Sequence, residues 1–142
     1  MAENESYIRW QNIRITQLGY ANNLLILLSV ALLGFYTKFL SDCIILNNWQ
    51  KFLICVCFLL VIFSTGLGIL VMLNRLEDFK LTARIARKRE TNQRNQIEND
   101  REEAKLLGKR TYNYFIWQAV TFFCAFVTGL TVIAIEFNDK LF

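Results

Sequence analysis

Four uncharged polar side chains, Asn22, Asn23, Gln118 and Thr121, stand close to the ends of two long apolar runs. Carboxamides and hydroxyls held at one depth can replace part of an ion's hydration shell when several copies of a chain surround a common axis. The same groups can also do no more than hydrogen-bond between helices, and their spacing leaves pore lining and helix pairing both open. A second candidate is the basic cluster Arg84, Arg87, Lys88 and Arg89, suited to a soluble anion such as a nucleotide signal or to an acidic face of a cytosolic protein. Its plainer reading is a solvated helix surface whose charge sets topology. A third group, Ser64 with Gly68 and Ala125 with Gly129, puts small residues four apart, where one helix can approach another closely.

Other chemistry is excluded by composition. The chain has 142 residues with no histidine and no proline, so imidazole zinc sites, histidine triads and histidine general bases are ruled out. Cys43, Cys55, Cys57 and Cys124 show neither a disulfide framework nor a metal-ligand spacing, and those inside the apolar runs read as small buried apolar residues. No Asp, Glu, Lys or Arg falls in the middle of an apolar run, which removes proton relays and voltage sensors. Gly-rich phosphate loops and specific nucleic-acid motifs are missing too. The expectation is a protein that is not an enzyme and takes no cofactor or metal.

These groups must be positioned by helices that cross a lipid bilayer. Apolar residues make up 54% of the chain and come in blocks, at residues 20–40, 52–73 and 114–135. The first block, taken as helix, extends about 32 Å and matches a hydrocarbon core of about 30 Å. The expected fold class is an all-α integral membrane protein: three transmembrane helices, with a cytosolic helical hairpin extending spans two and three. Residues 1–19 read as a short interfacial helix on the cytosolic side, residues 41–51 as an external connection, and residues 136–142 as an external tail. The hairpin, residues 74–112, carries 11 Lys or Arg against 7 Asp or Glu, and the positive-inside rule places it in the cytosol with the N-terminus.

Within the hairpin, Leu76, Phe79, Ala83 and Ala86 recur at helical spacing and predict a weakly apolar face. Residues 91–96 predict the turn. Asp100 followed by Glu103 predicts a capping box and a new helix start, and Gly108 predicts a hinge before span three. Tyr20, Tyr112, Tyr114 and Trp117 would anchor the inner interface, with Tyr36, Trp49 and Phe137 at the outer one. Gln118, Thr121, Ala125, Thr128 and Val132 share one stripe at 3,4,3,4 spacing, which reads as a packing surface with Gly129 beside it.

The strings at residues 9–17 (RWQNIRITQ), 78–89 (DFKLTARIARKR) and 107–118 (LGKRTYNYFIWQ) look like those of small bacterial membrane proteins. More loosely, the chain resembles the SLATT group, helical membrane effector modules associated with nucleotide-sensing antiphage systems. Those modules have two spans accompanied by cytosolic helices; here a third span follows. The resemblance implies the bacterial inner membrane, oligomerisation, and membrane disruption once a cytosolic signal is sensed. The expected function is a small oligomeric membrane effector or channel-forming protein, with lipid and further copies of itself as partners. The alternative is a non-conducting membrane adaptor or anchor subunit that docks a cytosolic partner on the hairpin.

Overall fold

Without proline, nothing in the chain forces a helix to stop where its apolar run meets water. The computed structural model describes the backbone of residues 2–42, 47–90 and 97–141, and side chains within residues 13, 15–41, 47–89 and 97–136. It is all-helical: α1 is Ala2–Asp42 (41 residues), α2 is Asn48–Glu90 (43 residues) and α3 is Ile97–Leu141 (45 residues). Each rod is about 60–70 Å long at 1.5 Å per residue, roughly twice a hydrocarbon core. All three contain a stretch long and apolar enough to cross a membrane.

Several element boundaries differ from the sequence reading. α1 runs unbroken from Ala2, so residues 2–19 are the first turns of the rod and not a separate helix lying across it. Gly108 sits inside continuous α3 and makes no hinge, since one glycine weakens a helix by only about 1 kcal/mol and 45 residues absorb that. α3 is already helical at Ile97, three residues before the expected cap at Asp100. Helix reaches Asp42 and resumes at Asn48, within the segment read as a connection, and α3 continues to Leu141, through most of the segment read as a tail. The expected turn at residues 91–96 and Cys43 lie outside the described residues, as does the side chain of Phe137.

The start of α2 has a physical cause. The Asn47 backbone N–H donates to Oε1 of Gln50 at 2.9 Å, and the Lys51 N–H donates to the Asn47 carbonyl at 3.0 Å. Asn47 is therefore the capping position and Gln50 the third residue of the first turn, reaching back as in a capping box.

α2 and α3 are antiparallel and meet along nearly their whole length. Gln50 Nε2 donates to Glu136 Oε2 at 3.4 Å at one end, Ser64 Oγ to the Gln118 carbonyl at 2.9 Å near the middle, and Lys88 pairs with Asp100 at 2.7 Å at the other. The buried positions of α2 include Gln50, Ile54, Cys57, Val61, Ser64, Gly68 and Val71, alternating by four and three; α3 presents Gln118, Phe122, Ala125, Gly129 and Val132 in the same alternation, with Thr111 seven residues before Gln118. That is the seven-residue period of two helices wound on one seam. The seam continues past Val71 with a one-residue shift: α2 half-buries Arg75, Asp78 and Ile85 and buries Leu81 in its charged half, while Thr82 is exposed. The face expected from Leu76, Phe79, Ala83 and Ala86 is on the outside instead: Leu76 is 57% and Phe79 60% exposed, and both alanines are exposed.

The Lys88–Asp100 pair closes the seam at its charged end, with 19% and 11% of the two side chains exposed. Lys88→Ala leaves the Asp100 carboxylate without that ammonium in a mostly buried place. A loss of about 1–3 kcal/mol is expected, between the surface and fully buried limits. Thermal unfolding in detergent measures it, and the exchanged pair Lys88→Asp with Asp100→Lys should recover most of the loss.

α1 lies antiparallel to α2 and is the least enclosed helix: 11% of its apolar window is buried, against 39% for α2 and 28% for α3. Its buried positions, Asn22, Ser29 and Tyr36, are seven apart, so it presents one residue per two turns. The Arg75 guanidinium donates to the Ile15 carbonyl, Asn22 Nδ2 donates to the Gly68 carbonyl at 3.3 Å, and the Tyr36 hydroxyl donates to the Ala125 carbonyl at 2.9 Å. Tyr36 is thus buried among Cys57, Val61 and Ala125, not an interfacial anchor. Of the described cysteines, only Cys57 is buried; Cys55 and Cys124 face outward.

Candidate functional site

The seam is apolar through most of its length but turns polar where the three helices meet near Gly68. Asn22, Ser29, Ser64 and Gln118 are all buried there, and Gln118 is 0% exposed. Gly68 makes the convergence possible. A Cβ at that position would stand 2.6 Å from Gln118 Nε2 and 2.8 Å from Ile26 Cγ1, closer than side chains tolerate, so only glycine admits both neighbours. Ser64, Gly68, Ala125 and Gly129 all sit at helix contacts: Ser64 bonds the Gln118 carbonyl, Ala125 receives the Tyr36 hydroxyl, and a Cβ on Gly129 would overlap the Tyr36 ring.

The polar groups are unevenly satisfied. Ser29 Oγ donates to the Leu25 carbonyl at 2.8 Å, and Thr121 Oγ1 donates to the Trp117 carbonyl at 2.8 Å and lies 3.1 Å from that of Gln118. Asn22 uses its amide on Gly68, but its Oδ1 has no partner, and neither Oε1 nor Nε2 of Gln118 has one. An unpaired buried carboxamide costs about 1–3 kcal/mol on mutational scales. Asn23, next to Asn22 and about 100° around α1 from it, is exposed, and Thr121 is half-buried at the edge of the layer. Of the four polar residues expected to share one depth, the fold brings Asn22 and Gln118 together inside a single chain and leaves Asn23 outside.

No family model, curated protein or solved structure matches the chain.

What the layer can do follows from its groups alone. Amides and hydroxyls do not ionise in the physiological range, so this layer offers fixed dipoles and no proton-carrying group. Such dipoles suit a passing ion or polar solute that has shed part of its water.

The basic cluster is divided by the seam. Arg84, Arg87 and Arg89 are exposed, whereas Lys88 turns inward to Asp100. Arg89 instead shares a groove of about 700 Å³ with Arg101 and Lys105 of α3. The last two were not picked out from the sequence. The antiparallel pairing that brings residue 100 opposite residue 88 was the signal that could have found them.

Proposed function

We propose that the chain is a small membrane effector that works as a homo-oligomer and opens a path through the bilayer. In this reading it lies in the bacterial cytoplasmic membrane, with its N-terminus and the charged halves of α2 and α3 in the cytosol and its C-terminus outside. The 11 basic residues of the charged segment support that orientation through the positive-inside rule.

The observation that carries the reading is the buried polar layer with Gln118 unpaired in it, closed over by α1, the helix held least. Moving α1 aside would uncover Gln118 beside Ser64 on the α2–α3 pair and free Asn22 and Ser29 on α1 itself, polar groups that neighbouring copies could gather around one axis. Leu76, Phe79 and Leu106, 57%, 60% and 60% exposed on an otherwise charged surface, offer apolar contacts for assembling those copies. The basic groove would sense or stabilise the assembly, and an antiphage role is carried forward from the resemblance to SLATT modules.

Reconstitution into dye-loaded liposomes tests this. A defined oligomer in detergent and measurable efflux are expected, with faster efflux from Tyr36→Ala, which removes the hydroxyl and ring that hold α1 to α3. Monomers that leave liposomes sealed in both forms would exclude it. The second reading, a non-conducting adaptor, is favoured by the same exposed Leu76, Phe79 and Leu106, which would then meet a soluble protein. Sealed liposomes together with a stoichiometric cytosolic partner would select it.

A further inference from the structure

Where the apolar run of α2 gives way to charge, the three helices part around a cavity of about 500 Å³, within the range of small-molecule sites. Leu18 of α1 and Phe115 of α3 give it apolar walls, Arg75 and Asp78 of α2 give it two opposite charges, and Gly108 and Tyr112 of α3 complete it. Arg75 and Asp78 are half-buried and three residues apart on one helix, which sets their Cβ atoms about 5–6 Å apart on the same face. One guanidinium N–H is spent on the Ile15 carbonyl, and a guanidinium has five.

Gly108 is the second observation. No atom lies within 4 Å of where its Cβ would be, so nothing in the fold demands a glycine there. A glycine in a helix interior nevertheless costs about 1 kcal/mol relative to alanine. What the missing side chain leaves is room in this cavity.

We propose that the cavity holds the headgroup of one phospholipid of the surrounding bilayer, of the class that carries a phosphate beside a primary ammonium. The phosphate meets Arg75, the ammonium meets Asp78 across its two-carbon bridge, and an acyl chain follows Leu18 and Phe115 toward the apolar run. The proposal rests on the membrane placement given above. Under that placement, Arg75 and Asp78 stand about 3–8 Å past Leu73, the last apolar residue of the α2 run, at headgroup depth. An anionic head without an amine would also set its phosphate on Arg75 but would bring no ammonium to Asp78, leaving that carboxylate facing net negative charge. A trimethylammonium head has no N–H to donate to the carboxylate.

The full chain, purified in detergent and stripped of lipid, is offered equimolar phospholipids with ethanolamine, choline and glycerol heads on identical acyl chains, and retention is read by native mass spectrometry. One ethanolamine lipid per chain, preferred about tenfold, is the expected result, since hydrogen bonds to charged groups are worth that much. Asp78→Asn should abolish the preference for ethanolamine over choline. Gly108→Leu should abolish retention by filling the cavity while favouring helix.

Equal retention of the three lipids, a preference for the glycerol head, unchanged selectivity in Asp78→Asn or full retention in Gly108→Leu would each overturn the proposal. Displacement by soluble glycerophosphoethanolamine would overturn the bilayer as the source. Circular dichroism of each variant separates loss of the cavity from loss of fold. Carbonate extraction of the parent from membranes tests the placement independently, so its failure is not confused with failure of the lipid site.

Discussion

Gly129→Ala is expected to destabilise the bundle by about 1–3 kcal/mol, although it adds a single methyl group and favours helix locally. The new Cβ would overlap the hydroxyl and ring carbons of Tyr36, which is buried against Ala125 and bonded to its carbonyl. A ring held in a packed interior cannot swing away, so α1 must lift from α3, taking the Tyr36 hydrogen bond with it. Tyr36→Ala alone is also costly, about 3–5 kcal/mol, through the space it empties. The two changes together should cost clearly less than their sum, because the methyl then enters that space; a coupling of about 1 kcal/mol or more is expected. Thermal unfolding of the four proteins in one detergent measures the cycle. Additive costs would mean that the two side chains do not meet.

The second large effect has the opposite sign. Gln118→Met replaces a carboxamide with no hydrogen-bond partner by a thioether of similar length, and stability should rise by about 1–3 kcal/mol. Efflux from liposomes should fall at the same time, because the polar groups uncovered by moving α1 would lose the Gln118 dipole. Stabilisation with undiminished efflux would detach Gln118 from the conducting path while keeping the account of its burial. A loss of stability would mean that the amide finds a partner, Asn22 being nearest in kind, and Asn22→Leu combined with Gln118→Met would then recover what the single change lost. The pattern of gained stability and lost activity is what a polar group kept for function predicts.

The long apolar blocks were readable because lipid leaves a plain trace: some 20 apolar residues in succession with charge confined to the flanks. Helix class and the three candidate spans followed directly. The face each helix turns inward did not follow, since hydropathy says little about direction where nearly every residue is apolar. Direction is written in small and polar residues, and the stripe through Gln118, Ala125 and Val132 could be seen for that reason. In the charged half, hydropathy pointed the wrong way. Leu76 and Phe79 looked like a packing face, yet the seam set by Ser64, Gly68 and Val71 carries on through Asp78, Leu81 and Ile85 and leaves them outside. Continued pairing with α3 outweighed a local apolar pattern. Tyr36 was misplaced because aromatic type suggests interfacial depth, while its partner is a carbonyl on a helix 89 positions along the chain.

The unbroken helices α2 and α3 have a mechanical consequence. Sharp bends need proline, a Gly/Ser pair, a bulge or an inserted group; neither rod has a proline, and α2 stays one continuous α-helix through Ser64, Gly66 and Gly68. Torsion applied at the arginine-bearing tip, about 24 Å beyond the greasy stretch, has no joint in which to dissipate before it reaches the glycine and carboxamide under α1. The pair acts as a crankshaft: whatever grips the tip turns the far end as well.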